Sequence, residues 1–353
     1  MGEPQIIRLM PSGEEVEYRA QDTVLEALER AGYPLPNNCR AGACGECKAK
    51  VLDGAIDQGI VMRMALTEQE WADGYALTCV ARSTSPTLGI HYDTVNALPR
   101  LFPPRKDARF VVTDRILRTP RILEIQLNPL GENLRFWPGQ YVMIGDLSNE
   151  VPARQYSIAN APRRSGELRL LVAHASSGIT SSWIHEKVKP GMQVRVDGPY
   201  GTFVGDPAVE SPVLCLAAGS GLAPILSLAE AALRRGFQFS TTLVFSARHA
   251  TDVFDAGQMA FWMMRHRRFQ YVVCRTGDGE LAPGEHKGRI PLVLPDLFDS
   301  LERHSVFIAG PPGFVTDCHA ACERLGARPE LIWRESFYPQ VKADPPDSAS
   351  PAR

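Results

Sequence analysis

Four cysteines have a spacing that suits a metal centre. Cys39, Cys44 and Cys47 follow the pattern C-x4-C-x2-C, and Cys79 comes later in the chain. Four thiolates at this spacing can hold the two irons of a 2Fe–2S cluster. Small residues fill the loop between them, so that backbone N–H groups can approach the cluster sulfurs and tune its potential. The spacing therefore predicts a 2Fe–2S centre.

Two other interpretations of these cysteines remain open at this point, a zinc site and unrelated buried cysteines. Zinc sites favour paired C-x2–4-C knuckles, and the second such pair is missing here. The other four cysteines either fall in apolar segments or lie one helical turn apart with no His or Cys partner at ligand spacing, so we interpret them as core residues: Cys215, Cys274, Cys318 and Cys322.

A cation, a flat ring and a small hydroxyl occur together in Arg154-Gln155-Tyr156-Ser157. A flavin diphosphate needs these three groups, and we expect Arg154, Tyr156 and Ser157 on one face of a strand. The motif alone is weak, because any exposed strand can carry an arginine and a tyrosine. Gly178-Ile179-Thr180-Ser181 then starts a predicted helix, where free N–H groups and the Ser181 hydroxyl can bind phosphate. An ordinary helix N-cap would look similar.

Two glycine-rich turns lie in the last third of the chain. Gly219-Ser220-Gly221-Leu222-Ala223-Pro224 follows an apolar segment and opens a predicted helix, and Gly310-Pro311-Pro312-Gly313 does the same further on. Glycines at such turns let the backbone approach a pyrophosphate, and both turns would lie at the carboxyl edge of a parallel sheet. This pattern predicts a nicotinamide dinucleotide site.

Composition and periodicity divide the 353 residues into three units with a linker and a tail. We predict a first domain over 1–98, a Pro-rich linker over 99–106, an antiparallel barrel over 107–208, a parallel doubly wound sheet over 209–338, and a disordered polar tail over 339–353.

Local patterns place elements within these units. In the first unit we predict strands at Ile6–Met10, Val16–Arg19, Ala49–Leu52, Leu77–Ala81 and Leu88–Tyr92, and a capped helix over Thr23–Ala31. One short helix is expected in the barrel near Ser181–Lys187. In the last unit we predict strands at Val213–Ala218, Thr241–Ser246, Tyr271–Arg275 and Val306–Ala309, with helices near Pro224–Arg235, Gln258–Arg265 and Phe314–Leu325.

Charge and hydropathy exclude several classes of function. The net charge of −2 gives no electrostatic footprint for nucleic acid or for an anionic membrane. The charge-free stretch 213–229 is broken by glycines and a proline, so we expect no membrane span. Residues 1–100 hold 14 acidic and 9 basic side chains, which hints at electrostatic docking. With no signal peptide pattern at the N-terminus, we expect a cytoplasmic protein.

Taken together, the motifs resemble the ferredoxin–NADP reductase superfamily, and within it the reductase components of bacterial multicomponent oxygenases. The resemblance covers residues 1–338 and rests on CRAGACGEC with Cys79, PGQY, RQYS, GITS, GPYG, GSGLAP and GPPG. It implies a multidomain α+β and α/β protein: a plant-type β-grasp ferredoxin domain, a six-stranded antiparallel FAD barrel and a parallel-sheet NAD domain.

The resemblance also implies roles for single residues. Arg154 contacts the FAD pyrophosphate, with Tyr156 and Ser157 at the isoalloxazine ring. The further expected contacts with FAD are Val172, Ala173, His174, Gly178, Thr180 and Ser181. Those with the nicotinamide dinucleotide are Gly219, Gly221, Pro224, Gly310 and Pro311. Tyr156, Ser157 and Phe337 are expected at the reacting ring, although Phe337 as a core residue is an equal alternative.

The function implied is electron transfer from NADH, or from NADPH, through FAD and the 2Fe–2S cluster to a terminal oxygenase of Rieske or di-iron type. Alternative acceptors are a deoxysugar dehydratase and a thiolate-haem monooxygenase. A third alternative is a ferredoxin-type carrier whose reductase part is inactive. Ala309 favours it, because many relatives have a cysteine at that position. A monomer is expected.

Overall fold

The structure is a computed structural model that describes residues 5–92, 99–205 and 210–338. The predicted tail 339–353 lies outside the described residues. Three units follow one another along the chain, each built around its own sheet and hydrophobic core. No helix in the described part is long and apolar enough to cross a membrane.

The first unit is a five-stranded mixed sheet with order β2-β1-β7-β3-β5, covered by one helix, and a separate two-stranded sheet of β4 and β6. Its elements are β1 Gln5–Met10, β2 Glu14–Tyr18, α1 Val24–Arg30, β3 Lys48–Asp53, β4 Ile56–Asp57, α2 Glu68–Ala72, β5 Tyr75–Leu77, β6 Arg82–Ser83 and β7 Thr87–His91. This is the β-grasp arrangement expected of a ferredoxin domain.

Helix α1 begins and ends as its sequence predicts. The Thr23 hydroxyl accepts a hydrogen bond from the backbone N–H of Glu26, and the Glu26 carboxylate accepts one from the N–H of Thr23. This reciprocal capping box satisfies two donors that the first turn leaves free. Gly32 follows the helix with φ +80°, a conformation that glycine adopts at no steric cost.

One strand of the first unit was placed wrongly from the sequence. The segment Leu77–Ala81 is not a strand, since β5 ends at Leu77 and residues 78–80 form a turn. The backbone N–H groups of Val80 and Ala81 both donate to the Leu77 carbonyl. The apolar residues there are buried by the turn around Cys79, and their alternation does not reflect a strand.

The second unit is a six-stranded antiparallel sheet with order β11-β10-β13-β8-β9-β12. Its elements are β8 Arg105–Thr119, β9 Ile122–Pro129, β10 Tyr141–Asp146, β11 Val151–Ser157, β12 Leu168–Ala173, α3 Ile179–Glu186 and β13 Gln193–Tyr200. Ile158, just after β11, forms an antiparallel bridge with Leu170 of β12, so the two edge strands meet and the sheet curls toward a barrel. Strand β8 begins at Arg105, inside the segment predicted as linker.

The third unit is a parallel six-stranded sheet with order β17-β16-β15-β14-β18-β19. Its elements are β14 Val213–Ala218, α4 Leu222–Arg234, β15 Thr241–Ala247, α5 Ala256–Arg265, β16 Phe269–Arg275, β17 Glu285–Lys287, α6 Ile290–Leu297, β18 Ser305–Gly310, α7 Pro312–Arg324 and β19 Ile332–Ser336. Separate apolar clusters cover its two faces, as a doubly wound sheet requires. The predicted fold class is confirmed in all three units.

Three elements of the third unit were not predicted. Helix α6 contains Pro291 and Pro295, which read as breakers in the sequence, although Pro291 lies in the first turn where a proline is tolerated. Strand β17 has only three residues, and β19 is interrupted by charged side chains.

A cluster of four charges, three of them on buried side chains, joins the second and third units. The guanidinium of Arg169 on β12 lies 2.7 Å from the Glu124 carboxylate on β9 and 2.5 Å from the Asp255 carboxylate at the start of α5. Arg118 on β8 contacts the same two carboxylates, at 2.8 Å and 3.6 Å. The side chain of Glu124 is fully buried and that of Asp255 is 3% exposed. We call these four residues the interdomain ion cluster.

Candidate functional site

The four predicted cluster cysteines lie in two pairs of neighbouring thiols. Cys39 and Cys44 are within hydrogen-bonding contact of one another, and so are Cys47 and Cys79. Among the described residues no three His, Cys, Asp or Glu side chains surround a point suited to a single metal ion. Two pairs of thiols fit a group with two irons, each of which would be held by one pair.

One thiol of each pair has an environment that favours thiolate, Cys39 in the first pair and Cys47 in the second, whereas the hydrogen bond to the partner and burial raise the pKa of Cys44 and of Cys79. The backbone N–H groups of Ala41 and Ala43 point at the Cys39 sulfur at 3.5 Å and 3.3 Å. Hydrogen bonding from the Cys44 thiol, together with these N–H groups, lowers the pKa of Cys39 to about 5. Thiolate is the form in which cysteine binds a metal.

Glycine is required at two positions of the cluster loop, residues 39–47. Gly42 has φ +68°, and a Cβ added there would lie 2.6 Å from the Ile60 carbonyl oxygen. Gly45 has φ +81°, with the Ala65 carbonyl oxygen 3.1 Å from such a Cβ. The loop therefore packs closely against the chain at 60–65, which no larger residue would allow.

Just before the cluster loop the chain contacts both other units. The Asn38 side-chain amide donates to the Ser336 carbonyl at the end of β19, and the Asn38 carbonyl accepts from the Gln155 side chain on β11. The Tyr141 hydroxyl donates to the Asn37 side chain at 3.0 Å. The residue next to Cys39 therefore touches β11, which carries Arg154 and Tyr156, and the end of β19, which Phe337 follows.

Arg40 lies between the cluster loop and the barrel. Its guanidinium is 2.5 Å from the Glu29 carboxylate of α1, and both side chains are largely buried. The same guanidinium stacks 4.3 Å from the centre of the Tyr200 ring on β13. This combination of an ion pair and a cation–π contact fixes the cluster loop against the barrel.

The structure corrects the expectation that Arg154, Tyr156 and Ser157 share one strand face. Side chains alternate along β11, so Arg154 and Tyr156 lie on one face and Ser157 on the other. Tyr156 packs against the barrel core, and burial raises its pKa. Arg154 has no carboxylate partner among the described residues, and its guanidinium donates only to the Ala153 carbonyl. It is therefore available to an anion.

Ser157 faces the third unit. Its hydroxyl lies 3.5 Å from the Glu335 carboxylate on β19, and burial raises the pKa of that carboxyl to about 8. Phe337 follows β19 and is half-buried, with its N–H donating to the Gly310 carbonyl at 2.9 Å. The Glu335 carboxyl thus contacts the serine, whereas the described contact of Phe337 is with Gly310, and the roles of these residues stay predictions.

At the start of α3 the predicted phosphate groups are already partly engaged. The Ser181 hydroxyl donates to the Gly178 carbonyl and accepts from the Ala175 N–H, and the Thr180 hydroxyl donates to the Pro152 carbonyl at 2.5 Å. Gly178 is the N-cap, with no side chain to cap the helix. The free N–H groups of the first turn are thus better placed for phosphate than the two hydroxyls.

The segment 172–174 ends β12 beside α3. Val172 is fully buried, and its carbonyl lies 2.9 Å from the His185 ring nitrogen. Ala173 is exposed and His174 half-buried, with the His174 and His185 rings 5.0 Å apart. The exposed side of this segment is compatible with the predicted contact to FAD.

The two glycine-rich turns come together, as predicted, at the carboxyl edge of the parallel sheet. Gly219 has φ +57°, and a Cβ there would meet nothing within 4 Å. At Gly221 a Cβ would lie 2.2 Å from the Ala309 carbonyl oxygen, so this glycine serves the packing of the turn on β18. Pro224 is buried in the first turn of α4, and Pro311 precedes α7 directly after Gly310.

Comparison with known proteins agrees with this geometry. Three family models match in chain order: a 2Fe-2S iron-sulfur cluster binding domain over 7–84, an oxidoreductase FAD-binding domain over 108–204 and an oxidoreductase NAD-binding domain over 215–320. These matches confirm the predicted cofactors, a 2Fe–2S cluster, FAD and a nicotinamide dinucleotide. They leave the domain boundaries and the single site residues as predictions.

Curated relatives extend over nearly the whole chain. The reductase subunit of the aromatic O-demethylase of Amycolatopsis is 31% identical over 93% of this chain and 97% of its own length. The phenol 2-monooxygenase reductase component of Pseudomonas is 32% identical over 94% of each chain. The chain belongs to the oxygenase reductase components. Its structure also matches the cytochrome P450 reductase GcoB of Amycolatopsis with a TM-score of 0.85, at 29% identity over 95% of this chain and 99% of that one.

Sequence reasoning missed several residues of this reductase that join its domains. Gln155 was treated as a spacer inside RQYS, yet its amide binds the Asn38 carbonyl and the Tyr141 hydroxyl. Arg40 was treated only as part of the cluster loop. Tyr141 and Tyr200 occur in the motifs PGQY and GPYG, which was the one available signal for them. No local pattern indicates the contact of Arg40 with Tyr200 or that of Gln155 with Asn38, because these partners lie more than a hundred residues apart in the chain.

Proposed function

We propose that this reductase takes electrons from NADH and passes them through FAD and the 2Fe–2S cluster, one at a time, to a terminal oxygenase. FAD supplies the conversion of a two-electron donor to single electrons, and the cluster holds one electron at a time. The protein contributes binding, orientation and electrostatics. We also propose that it works in the cytoplasm as a monomer.

The observation that best supports this proposal is that three domains are in contact at Asn38. Its side chain and backbone bind Ser336 of the NAD domain and Gln155 of the barrel, and the next residue is the cluster ligand Cys39. Direct hydrogen bonds therefore connect the cluster loop to both sides of the candidate flavin site. This supports electron transfer within one chain, because no separate docking step is needed between flavin and cluster.

The residues of the candidate flavin site would then have distinct tasks. Arg154 would bind the FAD pyrophosphate through its unpaired guanidinium, and the first N–H groups of α3 would bind phosphate oxygens. Tyr156 and Phe337 would lie beside the isoalloxazine ring system of FAD. Ser157 would orient it through a hydrogen bond, with the Glu335 carboxyl holding the serine hydroxyl in position.

Two features support NADH over NADPH. Arg248, the cation after β15 that could meet a 2′-phosphate, is exposed and is followed by Asp252, whose carboxylate accepts from the His249 N–H at 2.9 Å. Asp255, three residues further on, does not take part, because it belongs to the interdomain ion cluster. A nearby carboxylate disfavours a phosphate dianion, so we propose NADH as the donor.

For the acceptor, a cytochrome P450-type monooxygenase is a second candidate alongside Rieske and di-iron oxygenases. The structural match to GcoB, described as a cytochrome P450 reductase, favours it specifically. The other relatives include reductase components of terephthalate 1,2-dioxygenase from Comamonas and of propane 2-monooxygenase from Mycolicibacterium. The same three domains thus occur with more than one class of oxygenase.

An anaerobic titration of the purified holoprotein with NADH tests the proposal. We expect NADH to bleach the flavin absorbance and to produce the EPR signal of a reduced 2Fe–2S cluster. Saturation curves for NADH and NADPH would show a lower KM for NADH. Bleaching of neither cofactor would contradict the proposal and favour a carrier with an inactive reductase part, the alternative that Ala309 suggests.

A further inference from the structure

Three large apolar side chains lie in the solvent beside the cluster loop. Ile60, Met62 and Met64 are 85%, 45% and 85% exposed. They fall within five consecutive residues, which we call the 60–64 loop. A single exposed apolar residue needs no explanation, but a group of three on one loop is typical of an interaction surface. Methionine is enriched at such surfaces because its flexible side chain adapts to different partners.

The 60–64 loop is fixed to the cluster loop by its backbone. The Met62 N–H donates to the Gly42 carbonyl at 2.9 Å, and the Ala65 N–H donates to the Met62 carbonyl at 2.9 Å. The close approach of Gly42 to the Ile60 carbonyl holds the other end. The backbone that carries the three apolar side chains therefore keeps a constant position relative to the cysteines.

The start of the cluster loop, with the two residues before it, has different neighbours from the rest of the loop. Residues 37–40 contact the barrel and the NAD domain, whereas Gly42 and Gly45 contact the chain at 60–65. In the described structure no hydrogen bond or ion pair connects 60–64 with the other two domains. The side at residues 37–40 thus faces the candidate flavin site, and the side at residues 60–64 stays open to another molecule.

We infer that the 60–64 loop is the docking surface for the electron-accepting protein. The inference rests on the proposed function, because it names where the electron leaves. The partner that we expect has a redox centre surrounded by apolar surface, with basic side chains around that surface. The charge supports this, since residues 5–92 carry twelve acidic and eight basic side chains, and Arg63, the one charged residue inside the loop, forms an ion pair with Glu68 at 3.7 Å. Opposite charge at the rim speeds encounter, and apolar contact at the centre stabilises a transient complex.

Steady-state kinetics with two acceptors test the inference. Cytochrome c, a basic protein with an exposed haem edge, is the protein probe, and ferricyanide is the small acceptor. In the double variant I60S/M64S we expect KM for cytochrome c to rise about tenfold, which corresponds to about 1.4 kcal/mol. The ferricyanide rate and the cluster spectrum should stay as in the wild type. The matched control is Leu292→Ser, which removes a side chain 73% exposed on α6 of the NAD domain.

Single variants at Met64 provide a second test that does not depend on the fold of the double variant. Met64→Lys should raise KM for cytochrome c more than Met64→Glu, because a basic partner is repelled by lysine. Equal KM values for cytochrome c in Met64→Lys, I60S/M64S and wild type would overturn this inference but not the proposed function. A wild-type protein that reduces ferricyanide but never cytochrome c would instead overturn the proposed function.

Discussion

Ser157 and Glu335 belong to different domains and are 178 residues apart in the chain, yet their side-chain oxygens lie 3.5 Å from each other. Burial raises the pKa of Glu335 to about 8, and the hydrogen bond with Ser157 opposes this only in part. The carboxyl is therefore neutral at pH 7 and can share a hydrogen with the serine. Ionisation would place a negative charge beside a cofactor that itself becomes more negative on reduction.

We therefore predict that flavin reduction by NADH slows as the pH rises through about 8. Below that pH the Glu335 carboxyl keeps its proton, and above it the carboxylate opposes electron gain. In Glu335→Gln the decline should disappear. Stopped-flow reduction between pH 6 and 9.5 measures this. Glu330→Gln, which changes a 65% exposed side chain, is the control and should keep the wild-type profile. The same decline in Glu335→Gln would refute the assignment.

Arg154 provides a second prediction at the level of a single residue. Because its guanidinium has no carboxylate partner in the described structure, its removal costs the fold little. Arg154→Gln should weaken FAD binding by about 10- to 100-fold, the equivalent of one or two charge-assisted hydrogen bonds of about 1.5–3 kcal/mol in total. Fluorescence titration of the apoprotein with FAD measures this affinity.

The control for this prediction is Arg195→Gln, on the same sheet. Arg195 forms an exposed ion pair with Asp107 at 3.4 Å, which contributes little. Unchanged FAD affinity in Arg154→Gln, or equal losses in both variants, would contradict the role of Arg154.

The sequence predicts four cysteines as cluster ligands, and the structure brings these four together in two pairs, but the geometry of the flavin site did not follow from the sequence. Three of the cluster ligands are close in the chain, so spacing alone identified them. Arg154 and Tyr156 were expected to share a face with Ser157, although strand alternation places adjacent residues on opposite faces. The contact of Ser157 with Glu335 depends on the arrangement of two domains, which no local pattern encodes.

At the scale of the elements, two glycines in the turn between β14 and α4 have different roles. In Gly221→Ala the new Cβ would lie 2.2 Å from a backbone carbonyl of β18, so the turn has to move. We expect a lower melting temperature and a loss of NADH binding. In Gly219→Ala the Cβ enters open space, and the φ of +57° costs about 1 kcal/mol.

Gly219→Ala should therefore melt close to the wild type, while its KM for NADH rises because the methyl group points into the predicted dinucleotide site. Calorimetry and steady-state kinetics on both variants separate these effects. If Gly221→Ala melted and bound NADH like the wild type, the packing role would be wrong.

The strongest apolar runs predicted their strands well. Val213–Ala218 was placed without error, because a buried parallel strand is apolar on both faces. Prediction from the sequence failed where tertiary packing overrides the local pattern of residues. The segment after Leu77 is apolar because a turn buries it, and α6 tolerates prolines that usually end a helix. Boundaries of helices with capping signals, such as α1, were accurate to one residue.

For the whole molecule, the interdomain ion cluster holds the barrel and the NAD domain together. Asp255→Asn leaves the buried guanidinium of Arg169 and the half-buried one of Arg118 with one carboxylate, and breaking a buried ion pair in this way costs about 3–5 kcal/mol. We predict that the melting temperature falls by about 5 °C or more. Asp317→Asn is the control, because its ion pair with Arg289 is exposed. Scanning calorimetry measures both. Equal melting temperatures of Asp255→Asn and the wild type would show that the interdomain ion cluster contributes no net stability.

The arrangement of the domains was not predictable from the sequence. Glu124, Arg169 and Asp255 look like ordinary surface charges in the chain, and only the folded structure buries them together. Asn38 likewise carries no motif of its own. Its importance follows from its position next to Cys39 and from partners in two other domains.

The central claim is that electrons leave this chain through the cluster and reach it through the flavin. The most direct measurement is NADH-dependent reduction of ferricyanide and of cytochrome c by Cys79→Ser compared with wild type. Cys79 pairs with Cys47 in the structure, so its loss removes one ligand pair of the cluster. We predict that the variant retains FAD and ferricyanide reduction and loses most of its cytochrome c reduction. Wild-type cytochrome c reduction in a variant shown to lack iron would contradict the account.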